Sequence, residues 1–520
     1  MPELKELPAN AASVYSGGAD PLTAHDHWRS RAFEWTFLGL FALLLAMVTA
    51  RHQMWEDELQ AWLIVRDSST LAELFHNLRY EGHPALWYLI LYIPAHLSWN
   101  PIWMQVINFA IAVTTAWLIL SARTLHWAFR VLATFSFFVF FQYGVVARSY
   151  MLTAMLLIAA VRCMVGERQH KELAIVFLAL AIDTHFYAIP IAMVFAFQML
   201  PIDKLKSRRD CGKLFRDHKF QAACAVLFAS VLIAYFTIRP PADIYTKHGL
   251  EKHSVAYNVL WTESRAWQAF VPPDRLTDRM SWLRSDLYPF GPPAGFSLAL
   301  FLLFAGALRT ARARLIFLAA SAFELVVMSL VYPPALWHFG LFFITFILAS
   351  LVDAVPLTDR TGGMRLLHSI ALVAAFLILG LQTVRAATRS REDWKGAYSY
   401  AKQTSDWLVQ SGLDKEPMVF MPYRSGPAVI GYMQRPSAHY PACRCVGSFA
   451  VLKTGVDAER IVTENELEDL SGPSHLPVIV VSGSELPAET LRSLRVQELR
   501  TFSGSHEAKE NYYVYQRLSQ

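Results

Sequence analysis

Long apolar blocks separated by short polar segments dominate the hydrophobic pattern of the chain. A helix needs about 20 apolar residues to cross the hydrocarbon core of a bilayer. Runs of suitable length lie near 32–50, 101–121, 128–145, 149–165, 171–200, 220–238, 294–308, 314–331, 336–352 and 366–384. The run at 171–200 is long enough for two spans, and the polar segment Asp183–Tyr187 interrupts it. The pattern predicts a polytopic α-helical membrane protein with about eleven transmembrane helices.

The apolar run from Pro84 to Leu97 is shorter than the others. It has about 14 residues, roughly 20 Å of helix, against a hydrocarbon core of about 30 Å. We interpret it as a juxtamembrane helix with Pro84 in its first turn. If it is not counted as a span, all the basic clusters between spans fall on one side, which the positive-inside rule makes cytoplasmic.

This topology divides the chain into three parts. Residues 1–31 form a cytoplasmic tail, and the first apolar run is interpreted as an uncleaved span rather than a signal peptide. Residues 32–385 form the transmembrane domain, with outer loops at 51–100 and 239–292. Residues 386–520 alternate a helical pattern with strand-like segments such as PMVFMP, PVIVVSG and NYYVYQR, which predicts a soluble α/β domain outside the cytoplasm.

Composition supports the membrane assignment and narrows the function. Of the 520 residues, 54% are hydrophobic and 17% are Asp, Glu, Lys or Arg. The net charge of +5 comes from clusters between apolar runs, which does not indicate nucleic-acid binding. The five cysteines do not form a disulfide framework. For the close pair, Cys443 and Cys445, two ligands are too few for a metal site and a bridge across one residue would be strained.

The first outer loop concentrates acidic residues at the membrane boundary. Glu56, Asp57 and Glu58 follow the first span, and Glu81 and His83 precede the short apolar run. Acids in the first turn of a helix suit its macrodipole, which would explain them structurally. Alternatively, one carboxylate is the catalytic base of a membrane-embedded cleft. In a helix, neighbouring side chains differ by about 100° in direction, so we expect one of the three acids to face the site.

Further polar groups are predicted on the same face. They are Arg148 and Tyr150 at the start of one span, His185 and Tyr187 between two others, and Lys247, His248 and Arg265 in the second outer loop. Each has an ordinary explanation, as a snorkelling arginine, an interfacial aromatic residue or a solvated loop cation. Together, the carboxylates, cations and aromatic rings describe a site that binds an anionic lipid headgroup and activates a nucleophile.

The order of these motifs resembles that of a known class of enzymes. The segments are Asp57-Glu58, then His83-Pro84-Ala85-Leu86-Trp87-Tyr88, then Ala147-Arg148-Ser149-Tyr150 and Thr184-His185-Phe186-Tyr187. The order is similar to that of GT-C glycosyltransferases of the protein O-mannosyltransferase and lipid A aminoarabinose transferase type, including bacterial mannosyltransferase relatives. Asp393-Trp394-Lys395 resembles the Asp-Trp-Arg that often opens their outer domain.

The resemblance implies transfer of a sugar from a polyprenyl-phosphate donor to an acceptor hydroxyl, with inversion at the anomeric carbon. Asp57 would be the base, and Glu58 would orient the acceptor or serve as the alternative base. Glu81, His83, Arg148, Tyr150, His185 and Tyr187 would line the donor and acceptor site, with Lys247, His248 or Arg265 neutralising the leaving phosphate. The acceptor would be an envelope glycan, lipid or protein. The location would be a bacterial inner membrane, with the N-terminus cytoplasmic and the site periplasmic.

Two departures from the family pattern affect the interpretation. Ala85 stands where the family often has a second proline. Residues 142–150 contain no acid, although the family often has one there. Because Asp57 and Glu58 alone offer few oxygen ligands for a divalent ion, we expect no obligatory metal and no other cofactor.

Other functions are compatible with parts of the pattern. An O-antigen ligase or polymerase would use a large basic outer loop, for which 239–292 is a candidate. A transporter would be expected to show inverted repeats and several charged residues in the middle of its spans. In this chain the clear acid within a span is Glu324. A non-enzymatic assembly factor would use the outer domain as its interaction module and would tolerate loss of Asp57. The sugar, the acceptor and the length of the carrier lipid are not determined by the sequence.

Overall fold

Apolar α-helices make up most of the computed structural model. It describes residues 23–165, 169–200, 216–244, 254–273, 294–331, 334–353, 362–451, 453–473, 475–506 and 510–518. Within these residues, five helices are long and apolar enough to cross a membrane: Arg31–Thr49, Ile102–Leu120, His218–Ile238, Ala311–Val331 and Leu366–Lys395. Shorter apolar helices pack among them, and the total of about eleven spans stays a prediction.

The helices of the membrane part follow the apolar runs closely. They are α1 (Thr23–Thr49), α2 (Glu56–Arg66), α3 (Leu71–Leu78), α4 (Leu86–Leu97), α5 (Ile102–Leu120), α6 (Trp127–Thr134), α7 (Ser149–Val165), α8 (Lys171–Ile182), α9 (Ala188–Phe197), α10 (His218–Ile238), α11 (Val255–Glu263), α12 (Ala294–Ala307), α13 (Ala311–Val331), α14 (Leu336–Val352) and α15 (Gly362–Lys395). The predicted break at Asp183–Tyr187 separates α8 from α9.

The run predicted as a span at 128–145 is not one continuous helix. It consists of α6 and a π-helical segment, Phe137–Gln142. Between them, the Ser136 hydroxyl donates to the carbonyl of Ala133 at 2.8 Å and accepts from the amide of Val139 at 3.4 Å. The serine therefore ends one helix and begins the other.

The first outer loop forms three short helices, α2 to α4. The three acids occupy the first turn of α2, where they suit the helix macrodipole. The short apolar run forms α4, a helix of 12 residues, so it is too short to span a bilayer unaided. Pro84 precedes this helix instead of lying in its first turn.

A six-stranded mixed sheet forms the C-terminal domain. Its strands are β1 (Met418–Met421), β2 (Ala438–Tyr440), β3 (Cys445–Gly447), β4 (Ile479–Ser482), β5 (Val496–Phe502) and β6 (Tyr512–Arg517), in the order β3-β2-β1-β4-β6-β5. The helices are α16 (Ala401–Gln410), α17 (Gly426–Met433), α18 (Glu464–Ser471) and α19 (Ala488–Leu494). Strands β1 and β4 are parallel, and all their residues are buried.

The sheet domain packs directly on α2. A Cβ atom at Gly431 would lie 3.2 Å from Leu59 Cδ2, so the two helices approach closely because residue 431 has no side chain. The Gln60 amide donates to the carbonyl of Ala450 at 2.6 Å and accepts from its backbone N–H at 3.0 Å. This reciprocal pair satisfies a buried side chain and fixes the position of the domain.

Cys443 and Cys445 form a disulfide. From the sequence, a bridge across one residue is expected to be strained, and the structure nevertheless contains this bridge. The chain reverses between β2 and β3, and Arg444 adopts a φ of 51°. This turn brings the two Cα atoms to 5.1 Å, within the range that a disulfide spans.

Candidate functional site

The carboxylate of Asp57 lies between two guanidinium groups. Arg148 Nη1 is 2.9 Å from Asp57 Oδ2, and Arg424 Nη2 is 3.0 Å from Asp57 Oδ1. The Asp57 side chain is 17% exposed. Burial opposes ionisation, but Arg148 and then Arg424 hold the pKa of Asp57 below its usual range. Asp57 is therefore a carboxylate at neutral pH.

Arg148 precedes the first residue of α7 and is held from several directions. Its guanidinium lies 5.3 Å from the ring centroids of both Tyr150 and Trp337. Burial opposes its charge, but the carboxylate of Asp57 raises the pKa of Arg148 above its ordinary value. Stacking on two rings and pairing with one acid give this cation a defined orientation.

Arg424 brings the sheet domain into the site. Its Nε and Nη2 donate to the two oxygens of Glu56, both at 2.8 Å. Burial raises the pKa of Glu56, and Arg424 offsets part of that rise. One arginine thus contacts two consecutive acids of α2, so the expectation that a single acid faces the site is wrong. Arg424 approaches across the first turn and reaches both.

Glu58 points away from Asp57 and is fully buried. Its Oε1 accepts the amide of Ala147 at 2.6 Å. Its Oε2 accepts from His52 Nε2 at 3.1 Å and from the amide of Trp55 at 3.2 Å. These bonds tie the start of α2 to the segment that carries Arg148, so Glu58 positions the site's two halves relative to each other.

His52 extends this connection to the end of α15, from which the chain enters the sheet domain. Its Nδ1 lies 2.8 Å from Asp393 Oδ2, in the Asp-Trp-Lys segment at the end of α15. Burial opposes protonation, but Asp393 and Glu58 raise the pKa of His52 to about 10. A protonated imidazole therefore bridges two buried carboxylates.

Glu81 and His83 face the same region from the segment before α4. Gln60 Nε2 donates to Glu81 Oε1 at 2.9 Å, and burial raises the pKa of Glu81. Burial, followed by the charge of Arg148, lowers the pKa of His83 to about 4. His83 is therefore a neutral imidazole at physiological pH and can donate one hydrogen bond and accept another.

Aromatic rings form a buried cluster beside Arg148. The ring of His185 lies 4.7 Å from Tyr150, 5.2 Å from Tyr187 and 5.5 Å from His83, measured between centroids. His338, at the start of α14, lies 5.7 Å from His185. The structure thus brings together the predicted residues of the first outer loop, α7 and the α8–α9 turn.

Comparison with known proteins gives two structural neighbours of nearly full length. The crystal structure of ArnT from Cupriavidus metallidurans bound to undecaprenyl phosphate matches with a TM-score of 0.54 and 12% identity, covering 93% of this chain and 98% of that one. The apo crystal structure of the same protein gives 0.52 and 11%, covering 96% and 99%. The chain has the GT-C fold.

Other comparisons add little to this assignment. The cryo-EM structure of the mycobacterial arabinofuranosyltransferase AftD matches with a TM-score of 0.34 and 14% identity, covering 92% of this chain and 40% of that one. No family model matches, and no curated protein matches. At these identities the likeness establishes the fold and not the chemistry.

The second outer loop of this GT-C fold contributes less to the described site. Lys247 and His248 lie outside the described residues. Arg265 lies between α11 and a 3₁₀ turn, with its guanidinium 4.1 Å from the centroid of Trp261. Their predicted role, neutralising a leaving phosphate, stays a prediction.

Three parts of the site were missed from the sequence. Arg424 lies in a segment with no recognisable motif. Because neighbouring side chains of a helix point in different directions, Glu56 was not expected beside Asp57 in the site. Trp337 ends a Pro-Ala-Leu-Trp segment that also occurs at Pro84–Trp87, and His338 follows it. That repeat was the available signal, because both copies adjoin the site.

Proposed function

We propose that the protein is a membrane glycosyltransferase that moves a sugar from a polyprenyl-phosphate donor to an acceptor hydroxyl. The observation that carries the proposal is the position of the Asp57 carboxyl group between Arg148 and Arg424. A base beside two cations suits a reaction in which a hydroxyl attacks and a phosphate leaves. That ArnT, of the same fold, was crystallised with undecaprenyl phosphate supports a polyprenyl-phosphate carrier.

Asp57 acts as the base in this scheme. The acceptor oxygen attacks the anomeric carbon and passes its proton to the carboxylate of Asp57. The bond between the anomeric carbon and the phosphate oxygen breaks, and polyprenyl phosphate leaves with the electron pair. Attack opposite the leaving group inverts the anomeric configuration. Glu58 is the weaker candidate for the base, because its side chain is fully buried, whereas that of Asp57 is 17% exposed.

The two arginines would make the basicity of Asp57 depend on whether the donor is bound. In the free protein they lower the pKa of Asp57, which makes the carboxylate a weak base. A donor phosphate that binds Arg148 or Arg424 would compete with Asp57 for pairing with these guanidinium groups. The pKa of Asp57 would then rise, so the base would gain strength when the donor is in place.

The neutral groups around Arg148 would orient the sugar. Because its pKa is lowered, His83 is uncharged. It would therefore neither pair with Asp57 nor draw the donor phosphate away from the two arginines. The rest of the sugar site would be lined by Tyr150, His185, Tyr187 and Glu81. The scheme requires no metal ion. Lys247, His248 and Arg265 remain candidates for contacts with the departing phosphate.

A donor panel tests the reaction class. Purified protein in detergent is incubated with several polyprenyl-phosphate sugars and a crude envelope extract as acceptor, and released polyprenyl phosphate is measured. Release from one donor, dependent on the extract, is the expected result. Release from none of a broad panel, combined with solute uptake by vesicles that contain the protein, would favour a transporter and contradict the proposal.

The proposed location is a bacterial inner membrane with the site on the periplasmic face. The basic clusters between spans support this orientation. Alkaline phosphatase, active only in the periplasm, is fused after the C-terminal domain, and a cytoplasm-active reporter is fused at the same point. Activity of the first fusion and inactivity of the second are expected, and the reverse pattern would place the site in the cytoplasm.

A further inference from the structure

A cavity lined by charged side chains lies at the opposite end of the transmembrane helices from Asp57. Its volume is about 370 Å³, and α1, α5 and α7 contribute to its walls. Arg148 precedes α7, whereas Arg162 of the cavity lies near its other end. At about 1.5 Å per residue, roughly 20 Å of helix separates the two arginines. The cavity is therefore distinct from the candidate glycosyltransferase site.

Arginines outnumber acids around this cavity. Arg31, Arg123 and Arg162 line it, and Glu34 is the acid among its described lining residues. Arg130 lies behind, with Nη1 3.9 Å from Glu34 Oε1. Four guanidinium charges thus face one carboxylate, which leaves a formal excess of three positive charges.

Three of the four arginines contact protein groups, although Arg31 and Arg123 are exposed. Arg123 donates to Glu34 from Nε at 2.6 Å and from Nη2 at 3.2 Å. Arg162 reaches the hydroxyl of Ser121 at 3.5 Å, and the side chain of Arg130 is only 9% exposed. Guanidinium groups from α1, from α7 and from the segment after α5 thus meet at one cavity, an arrangement suited to an anion.

Tryptophans and apolar side chains surround the opening of the cavity. Trp35 of α1 is 65% exposed and Trp117 of α5 is 46% exposed, and both line the cavity. Further along the same faces, Leu43 and Val106 are also exposed. Exposed tryptophans at the ends of spans mark the headgroup level of a bilayer. A ligand in the cavity would therefore have its charge among the arginines and its apolar part along α1 and α5.

We propose that this cavity, formed by Arg31, Arg123 and Arg162 with Trp35 and Trp117, binds the phosphate of an anionic phospholipid headgroup. Guanidinium groups recognise phosphate oxygens through paired hydrogen bonds. Basic pockets between transmembrane helices bind acidic headgroups in this way. A free phosphate ion is also an anion, but it has no apolar part that would contact the tryptophans and the apolar faces of α1 and α5. We therefore assign the site to the lipid.

Native mass spectrometry of the purified full-length protein tests the assignment. The protein is delipidated and titrated with phosphatidylglycerol, phosphatidylcholine or inorganic phosphate. The test variant is Arg162→Gln, because it leaves the pair between Arg123 and Glu34 in place. The control is Arg309→Gln, which changes an exposed arginine in the turn between α12 and α13.

Wild-type protein and Arg309→Gln should retain phosphatidylglycerol in preference to phosphatidylcholine. Arg162→Gln should retain about tenfold less phosphatidylglycerol, since it loses one charge-assisted contact. If Arg162→Gln does not fold, Trp117→Ala gives the same comparison without changing charge, with a smaller expected loss. Equal retention of both lipids, or no loss in a folded variant, would overturn the proposal. Competition by inorganic phosphate at a concentration equal to the lipid would overturn the assignment to a lipid.

Discussion

Arg424 Nη2 lies 3.0 Å from Asp57 Oδ1, although 367 positions separate the two residues in the chain. The arginine belongs to the sheet domain and the aspartate to the first outer loop. The domain therefore supplies part of the candidate site and does not merely cover it. Its docking on α2 decides whether Arg424 reaches Asp57, so docking and activity should be linked.

Arg424→Gln tests this link. The variant removes the cation that pairs with Glu56 and Asp57, and we expect turnover of the donor to fall by about 10²-fold, the scale of losing one well-placed electrostatic contact. The measurement is release of polyprenyl phosphate under saturating donor. Arg500→Gln, at an exposed position of β5, is the control, and similar loss in both variants would contradict a specific role for Arg424.

Gly431→Ala tests the docking without changing the charged residues. An added Cβ would lie 3.2 Å from Leu59 Cδ2 and 3.3 Å from its Cβ, which is closer than atoms of this type pack comfortably. We expect a severalfold loss of turnover, roughly the effect of 1 kcal/mol of overpacking. Gly447→Ala is the matched control, because its nearest contact would be an ordinary 3.8 Å. Full activity in Gly431→Ala would show that the domain does not need this approach.

Glu58→Gln should affect stability more than chemistry. Glu58 is buried and accepts from His52, Trp55 and Ala147, and breaking a buried ionic pair costs about 3–5 kcal/mol. We expect a lower thermal unfolding midpoint, with the folded fraction still active within about tenfold. Glu73→Gln, on the exposed side of α3, should change neither quantity. A variant as stable as wild type but inactive would make Glu58 the base.

The charge of His52 gives stability a defined pH dependence. Its pKa is about 10 in the folded protein against 6.5 ordinarily. Because the folded value is the higher one, the stabilisation is fully present below about pH 6.5 and is lost as pH rises towards 10. The loss should approach 1.4 kcal/mol per pH unit within that window.

Thermal unfolding of wild type and His52→Gln between pH 6.5 and 10 checks this dependence. The midpoint of wild type should fall more steeply with pH than that of the variant, and His76→Gln, at an exposed position of α3, should follow wild type. Parallel curves for wild type and His52→Gln would show that His52 is not the titrating group.

The requirement for a metal can be measured directly. Asp57 is already paired with two arginines, so a divalent ion there would have to displace at least one cation. We expect donor turnover to be unchanged after exhaustive dialysis against EDTA. Loss of activity on chelation, restored by Mg²⁺ or Mn²⁺, would contradict the expectation.

The sequence predicted much of the membrane part because apolar length and motif order are local signals. The break at Asp183–Tyr187, the short helix α4 and the meeting of Asp57, Arg148 and His185 all follow from them. The predicted sheet domain is present, but β2 and β3 have three residues each, too few to show an alternating pattern. The run 128–145 was predicted as one continuous span, which is wrong, because apolar content alone does not reveal that Ser136 caps a helix in its middle.

Arg424 could not be predicted for a different reason. Its position depends on how the sheet domain packs on α2, which requires Gly431 to meet Leu59 and Gln60 to meet Ala450. Such long-range contacts leave no periodic trace in a single sequence. The three consecutive acids from Glu56 to Glu58 are evident in the sequence, but the distant arginine that pairs with two of them is not.

The most direct measurement of the central claim is release of polyprenyl phosphate by Asp57→Asn compared with wild type, using the donor that the panel identifies. The substitution preserves size and removes the negative charge that the base requires. We predict that wild type and Glu73→Gln release the carrier, whereas Asp57→Asn is at least about 10³-fold slower while remaining folded. Release by Asp57→Asn at the rate of wild type would contradict the assignment of Asp57 as the base.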